Sequence, residues 1–294
     1  MISPQQLTGT GVALVTPFDN NKAVDHSALK KLVNYVIDGG VNYLVALGTT
    51  AETATLSNKE KLEVIHTIKE ANSNRLPVIL GMGSNNTDEL IDTINRTDFD
   101  GVDAILSVTP FYNKPTQEGL YQHYKAIADV SPVPVILYNV PSRTGCNLNA
   151  DTCLKLASNI ENVVAVKEAS GNWEQIMQII KHKPQDFAVL SGDDATTLPL
   201  IASGANGVIS VIANACPVEF SSMVNAAVEN NMPKARQIHY SLIDLINNIF
   251  VEGNPAGIKA LLEMRQIIDN QLRLPLVSTT DKLYNELKGY FNAF

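Results

Sequence analysis

Short apolar runs alternate along this chain with longer stretches whose apolar residues recur at helical spacing. The first run covers residues 11–18 and is stopped by Pro17. Asp25 then caps a segment in which Leu29, Leu32, Val33, Val36 and Ile37 fall on one face, and Gly39-Gly40 ends it. Residues 43–50 form a second strand that runs into a polar turn, and Ser57 with Glu60 makes a capping box for the helix after it. Residues 77–81 predict a third strand and Thr87 opens a third helix. The alternation goes on with strands at 104–110, 133–139, 162–167, 187–192 and 207–213. Helices are predicted at about 116–128, 150–158 and 173–180, after Asp193 or Asp194 as a cap, and from Pro217.

Eight strand–helix units in succession predict a parallel sheet, and eight is the number that closes a (β/α)8 barrel. A doubly wound sheet is the alternative, but no G-x-G-x-x-G follows the first strand. Three more helical stretches, at 233–250, 255–268 and 280–291, follow the eighth unit. The expected organisation is a barrel over residues 1–231 that carries the site, and a C-terminal helical extension over 232–294. No low-complexity linker separates them, so one compact chain is expected.

At 294 residues the length suits a single such barrel, and 45% hydrophobic with 18% charged residues is ordinary globular composition. The net charge of −8 argues against nucleic acid or an anionic membrane as a partner. An anionic ligand must then be held by a few local cations. The start has no signal-like segment, no run approaches membrane-span length, and three cysteines lack CxxC spacing. A cytoplasmic protein is expected. The five histidines form no HxxxH or HxH pair, so neither a metal nor another cofactor is expected.

In such a barrel the carboxyl ends of the strands build the site. Residues 163–166, Val-Val-Ala-Val, read as a strand buried on both faces, and Lys167 ends it. Lys167 either extends its ammonium beyond the strand to solvent or is a desolvated, nucleophilic amine. The other strand ends supply Thr16, Thr49, Thr50, Phe111-Tyr112, Tyr138 and Gly192. Hydroxyls surround one amine without a cluster of carboxylates, a set that fits a glycosidase or a divalent metal poorly. It fits Schiff-base chemistry, in which an amine attacks a carbonyl and hydroxyls relay protons. Tyr138 is either a packed aromatic or the proton relay beside Lys167, and the neighbouring strand favours the relay. Arg143 is either a solvated turn residue or a guanidinium fork for a carboxylate. Asp193-Asp194 reads as helix-capping rather than as a metal pair.

Gly48-Thr-Thr-Ala-Glu52, Thr109-Pro-Phe-Tyr-Asn-Lys-Pro115, Tyr138-Asn-Val-Pro-Ser-Arg-Thr-Gly145, Lys167-Glu-Ala169, Ser191-Gly-Asp-Asp194 and Gly207-Val-Ile-Ser-Val211 resemble the dihydrodipicolinate synthase family in order and spacing. The resemblance covers nearly the whole chain. It implies that Lys167 condenses with pyruvate and that the resulting enamine attacks L-aspartate 4-semialdehyde. The product would be 4-hydroxytetrahydrodipicolinate, on the route to lysine and diaminopimelate. It further implies Tyr138, Thr49 and Tyr112 as the proton relay, with Tyr112 crossing into a neighbouring subunit of a homo-oligomer, a dimer or dimer of dimers. Thr50 would hold the pyruvate carboxylate, Arg143 the semialdehyde carboxylate, and Gly192 and Ile209 would offer backbone carbonyls. Sialic acid and sugar-acid lyases share the lysine and tyrosine but resemble the Arg143 turn less. A catalytically silent binding barrel would have no need for the whole set.

Two departures from the family pattern stand out. Ala51 occupies a position where the family usually has Gly, at a cost of about 1 kcal/mol if that residue needs positive φ. The family's lysine effector cleft maps onto Thr53, Ala54, Asn58, Lys61, Asn85, Glu89 and Phe111. Sensitive members carry histidines at the positions of Asn58 and Lys61 and tyrosine at Phe111. Weak or absent inhibition by lysine is therefore expected. Asn254-Pro255 in the tail is read as packing and turn chemistry.

Overall fold

Eight strands close into one barrel in chain order, every neighbouring pair parallel, in a computed structural model that describes residues 2–293. They are β1 (Gly9–Ala13), β2 (Tyr43–Ala46), β3 (Val78–Met82), β4 (Ala104–Val108), β5 (Val135–Asn139), β6 (Val163–Glu168), β7 (Ala188–Ser191) and β8 (Gly207–Ser210). This is the (β/α)8 fold that the alternation predicts. Several strands end earlier than their apolar runs, for reasons visible in the backbone. The Val15 amide is taken by the Asn214 side chain rather than by a neighbouring strand. Leu47, at φ 53°, turns the chain out of β2. Beyond β8 the amides of Val211 and Ile212 donate to the Asp194 carboxylate at 3.0 and 2.8 Å.

Asp194 is thus no helix cap. It is 2% exposed, and burial pushes its carboxyl up to about 6 while the two amides oppose the shift. Its neighbour Asp193 accepts from the amides of Ala195 and Thr196 in the turn that leads into the short helix Thr197–Ala202, whose N-cap residue, Thr196, makes no side-chain capping bond.

Residues alternate between the barrel interior and the helix-facing side. Val45, Ile79, Leu106, Ile136, Ala165, Leu190 and Ile209 fill the interior, and Leu7 and Ile2 continue that cluster. Tyr43 crosses it and donates its hydroxyl to the Val208 carbonyl at 2.9 Å. Gly11 makes that possible, since a Cβ there would lie 1.9 Å from the tyrosine ring.

The outer layer comprises α1 (His26–Asp38), α2 (Asn58–Asn72), α3 (Thr87–Arg96), α4 (Gln117–Val130), the single turn α5 (Pro141–Thr144), α6 (Ala150–Asn159), α7 (Trp173–His182), α8 (Thr197–Ala202) and α9 (Pro217–Val228). Asp25 caps α1 through the Ala28 amide, and Ser57 with Glu60 forms the box on α2.

After the barrel come α10 (Met232–Asn248), α11 (Ala256–Met264) and α12 (Asp281–Ala293). The left-handed Gln266, at φ 57°, marks where α11 has stopped short of the predicted 268. Leu242, Leu245, Ile246, Ile258, Leu261, Leu283 and Leu287 join the same hydrophobic cluster as Leu29, Leu32 and Phe220 of the barrel. Each such buried side chain contributes about 1.5–3 kcal/mol, so the tail is fastened to the barrel by its core. No helix among the described residues is long and apolar enough to cross a membrane.

Candidate active site

Parallel pairing of β5 and β6 sets Tyr138 directly beside Lys167, and Asn139 beside Glu168. Alternation then divides the four. Tyr138 and Lys167 line a cleft of about 880 Å³, while Asn139 and Glu168 are buried on the other side of the strands. The Lys167 ammonium does not extend to solvent. The residue is 6% exposed, and Nζ sits 4.2 Å from the centre of the Tyr138 ring. It makes no ion pair among the described residues. Behind it, the Glu168 carboxylate accepts from Asn139 at 2.5 Å, Gln175 at 3.1 Å and the Ser170 hydroxyl at 2.5 Å. Burial raises the Glu168 carboxyl above its ordinary range, and these donors pull against that shift. The network ties the ends of β5 and β6 together, which holds the spacing of Tyr138 and Lys167.

The loop after β2 forms the opposite wall. Thr49, Thr50 and Ala51 make one 3-10 turn, with Thr49 open to the cleft and Thr50 buried. The Thr16 hydroxyl donates to the Ala51 carbonyl at 2.7 Å, and the Thr53 hydroxyl to the Gly48 carbonyl at 3.0 Å. The conformational cost anticipated at Ala51 does not arise there. The left-handed residue is Glu52, at φ 54°.

Arg143, Gly192, Thr53, Ala54, Lys61 and Phe111 complete the part of the cleft that sequence reasoning named. Arg143 closes the one-turn helix α5, exposed and without an ion pair among the described residues. The cleft therefore presents Lys167, Arg143 and Lys61, while one of its acids, Glu52, is neutralised by a buried lysine, Lys259. A few local cations face the site of a chain that is acidic overall, as an anionic ligand requires.

Other named residues lie elsewhere. Ile209 packs in the barrel interior, and Val211 lines the cleft beyond it. Tyr112 is 87% exposed, at φ 73°, and does not line the cleft of its own chain. Asn58, Asn85 and Glu89 stand outside the lining, with Glu89 accepting from Ser84 and the Asn85 carbonyl from Asn113.

Sequence reasoning passed over the tail's share of the site. Ile246, Asn247, Phe250, Asn254, Pro275 and Leu276 all line the cleft. Asn254 donates to the Thr50 hydroxyl oxygen at 2.9 Å, a contact beyond packing and turn chemistry. Lys259 is fully buried, and burial pushes its amine down to about 8 although Glu52 opposes the shift. One signal was available: Lys259 is the only charged residue between Ala256 and Leu262, in an otherwise apolar turn of helix.

The arrangement can do amine–carbonyl chemistry: a buried lysine without a counter-ion among the described residues, a tyrosine ring beside it, and the Thr49 side chain open to the same cleft. The model of the dihydrodipicolinate synthetase family matches residues 6–293. A 4-hydroxy-tetrahydrodipicolinate synthase of Flavobacterium psychrophilum is 52% identical over 96% of this chain and 97% of its own length. One of Parabacteroides distasonis is also 52% identical, over 96% of this chain and 95% of its own. The crystal structure of a dihydrodipicolinate synthase from Acinetobacter baumannii complexed with pyruvate superposes with a TM-score of 0.93 at 42% identity, covering 97% of this chain and 98% of that one. Barrel, lysine strand and full-length similarity agree, and the chain belongs to the dihydrodipicolinate synthetase family.

Proposed function

We propose that this enzyme condenses pyruvate with L-aspartate 4-semialdehyde to 4-hydroxytetrahydrodipicolinate, in the formation of lysine and diaminopimelate. The observation that carries the reading is Lys167: buried, without an ion pair among the described residues, and held 4.2 Å over the ring of Tyr138. Its Nζ attacks the keto carbon of pyruvate and water leaves, giving an iminium. Loss of a methyl proton makes an enamine, which attacks the aldehyde carbon. The amine of the semialdehyde then attacks the iminium carbon and expels Lys167, closing the ring with one water released overall.

Tyr138 and Thr49 move the protons of these steps, and Tyr112 of a neighbouring subunit completes the relay. The 87% exposure of Tyr112 on a left-handed backbone suits a residue that finds its partner in another chain. A homo-oligomer, as a dimer or dimer of dimers, follows from that reading, and a cytoplasmic location is proposed alongside it. Thr50 holds the pyruvate carboxylate and Arg143 that of the semialdehyde, whose planar charge a guanidinium matches with two parallel hydrogen bonds. Gly192 and Ile209 offer backbone carbonyls. Thr53, Ala54, Lys61 and Phe111 make a poor lysine site, since Lys61 sets a cation beside a cationic effector and Phe111 offers no hydroxyl.

The deciding experiment is turnover of pyruvate with aspartate semialdehyde, coupled to the downstream reductase and followed as loss of reduced nicotinamide. A pyruvate-dependent signal absent from Lys167→Ala supports the reading. A borohydride-trapped pyruvate adduct without turnover would leave the first half standing and replace the aldehyde by a sugar acid.

A further inference from the structure

Glu52 stands in a conformation and an environment that a carboxylate does not take without compensation. A non-glycine residue in the left-handed region costs about 1–2 kcal/mol. The Glu52 side chain is out of solvent altogether, as is that of Lys259, whose Nζ lies 2.5 Å from Oε1. The second oxygen, Oε2, accepts from the Arg273 amide at 3.1 Å. Lys259 in turn donates to the Gln271 carbonyl at 2.8 Å and lies 4.2 Å from the centre of the Phe18 ring. The guanidinium of Arg273 rests against the same ring at 4.4 Å and donates to the Thr55 carbonyl at 3.0 Å. Both ends of the segment 52–55 are therefore gripped by residues of the tail.

Buried ion pairs are seldom retained for stability, since well-packed apolar residues of similar volume often do as well or better. Glu52 lines the cleft, but its carboxylate and the Lys259 amine are both out of solvent and are spent on each other. What it does determine is the exit of the Thr49–Ala51 turn, one residue upstream. Asn254, just ahead of α11, which carries Lys259, donates to the Thr50 hydroxyl oxygen at 2.9 Å, so the Thr50 proton is left for another acceptor.

We propose that the Glu52–Lys259 pair is a positioning device for the pyruvate-carboxylate loop: it sets Thr49 and Thr50 at the distance from Lys167 that binds the keto acid. This rests on the reading of Thr50 as the carboxylate contact. Glu52 and Lys259 act through the loop and are positioning residues. The consequence is a separation of stability from binding. Losing one partner strands a buried charge and lowers both. Losing both partners together restores stability but leaves the loop without its anchor.

The experiment compares full-length wild type with Lys259→Met, Glu52→Gln and the double variant, measuring Tm together with KM for pyruvate and kcat. The double variant is expected to regain a Tm near wild type while its KM for pyruvate stays raised about tenfold or more, and kcat falls with it because the same turn carries Thr49. A double variant with wild-type Tm and wild-type KM overturns the proposal, because the pair would then serve the fold alone. Glu52→Asp decides the matter should the double variant not fold. It keeps the charge but withdraws it by one methylene, so a raised KM supports the proposal and an unchanged KM overturns it. If the wild type itself traps no pyruvate under borohydride, the reading beneath the proposal has failed. That result is distinct from trapping by all variants at one common KM.

Discussion

Two lysines lie in the interior of this enzyme, each with its ammonium 4.2 Å from the centre of an aromatic ring, Lys167 over Tyr138 and Lys259 over Phe18. Their surroundings differ in one respect that decides their chemistry. Lys259 has a carboxylate at 2.5 Å and a carbonyl at 2.8 Å, so its charge is consumed locally. Lys167 has no ion pair among the described residues, and the cleft opens in front of it. A buried amine with a counter-ion is a bolt, whereas one without is a reagent. Burial alone separates neither from the other.

The sharpest test of that contrast is Lys167→Ala. Turnover is expected to fall by about four orders of magnitude or more, with no borohydride-trapped adduct and a Tm close to wild type. Lys259→Ala reverses the pattern. Glu52 is left buried and unpaired, which costs about 3–5 kcal/mol in urea unfolding, whereas the Lys167 adduct still forms in the folded fraction. Tyr138→Phe lies between them. It keeps the ring beneath the ammonium but removes the hydroxyl proposed as the relay, so kcat is expected to fall about a hundredfold while the adduct is still trapped. A milder effect is expected of Arg143→Lys, which keeps the charge and loses the fork: KM for the semialdehyde rises about tenfold and KM for pyruvate stays put in steady-state assays. The smallest expected effect is that of added lysine. Sub-millimolar lysine leaves the rate unchanged, and half-inhibition well below a millimolar would refute the argument from Lys61 and Phe111.

The barrel was legible in the sequence because eight buried strands leave eight unbroken apolar runs, and helices leave a different period. Lys167 was legible because a charged residue interrupts one of those runs at its end. Strand ends were harder to place, since they are decided by side chains from elsewhere: Asn214 takes the Val15 amide, and Asp194 takes those of Val211 and Ile212. Asp194 looked like a helix cap because local sequence shows the helix that follows but not the amides on the next strand. The tail's contribution was hidden for the same reason. Nothing near Glu52 in the chain signals that its partners are Lys259 and the Arg273 amide, more than two hundred residues downstream. Asn254 is equally remote from Thr50, at a separation of 204. Tyr112 illustrates another limit, since an exposed aromatic cannot be placed by the contacts of a single chain.

The late position of those partners bears on how the enzyme is born. A ribosome delivers Thr49, Thr50 and Glu52 early and Lys259 and Arg273 close to the end, and nascent chains fold from the N-terminal side as they emerge. A chain released after the eighth strand and α9 carries Lys167 and Tyr138 yet leaves the Glu52 carboxylate in water, with no counter-charge to draw the loop into place. On the proposed role of the Glu52–Lys259 pair, competence to bind the keto acid is thus acquired last. On that reading, termination before Lys259 leaves the Lys167 amine without its anion clamp, rather than giving a slower copy of the enzyme.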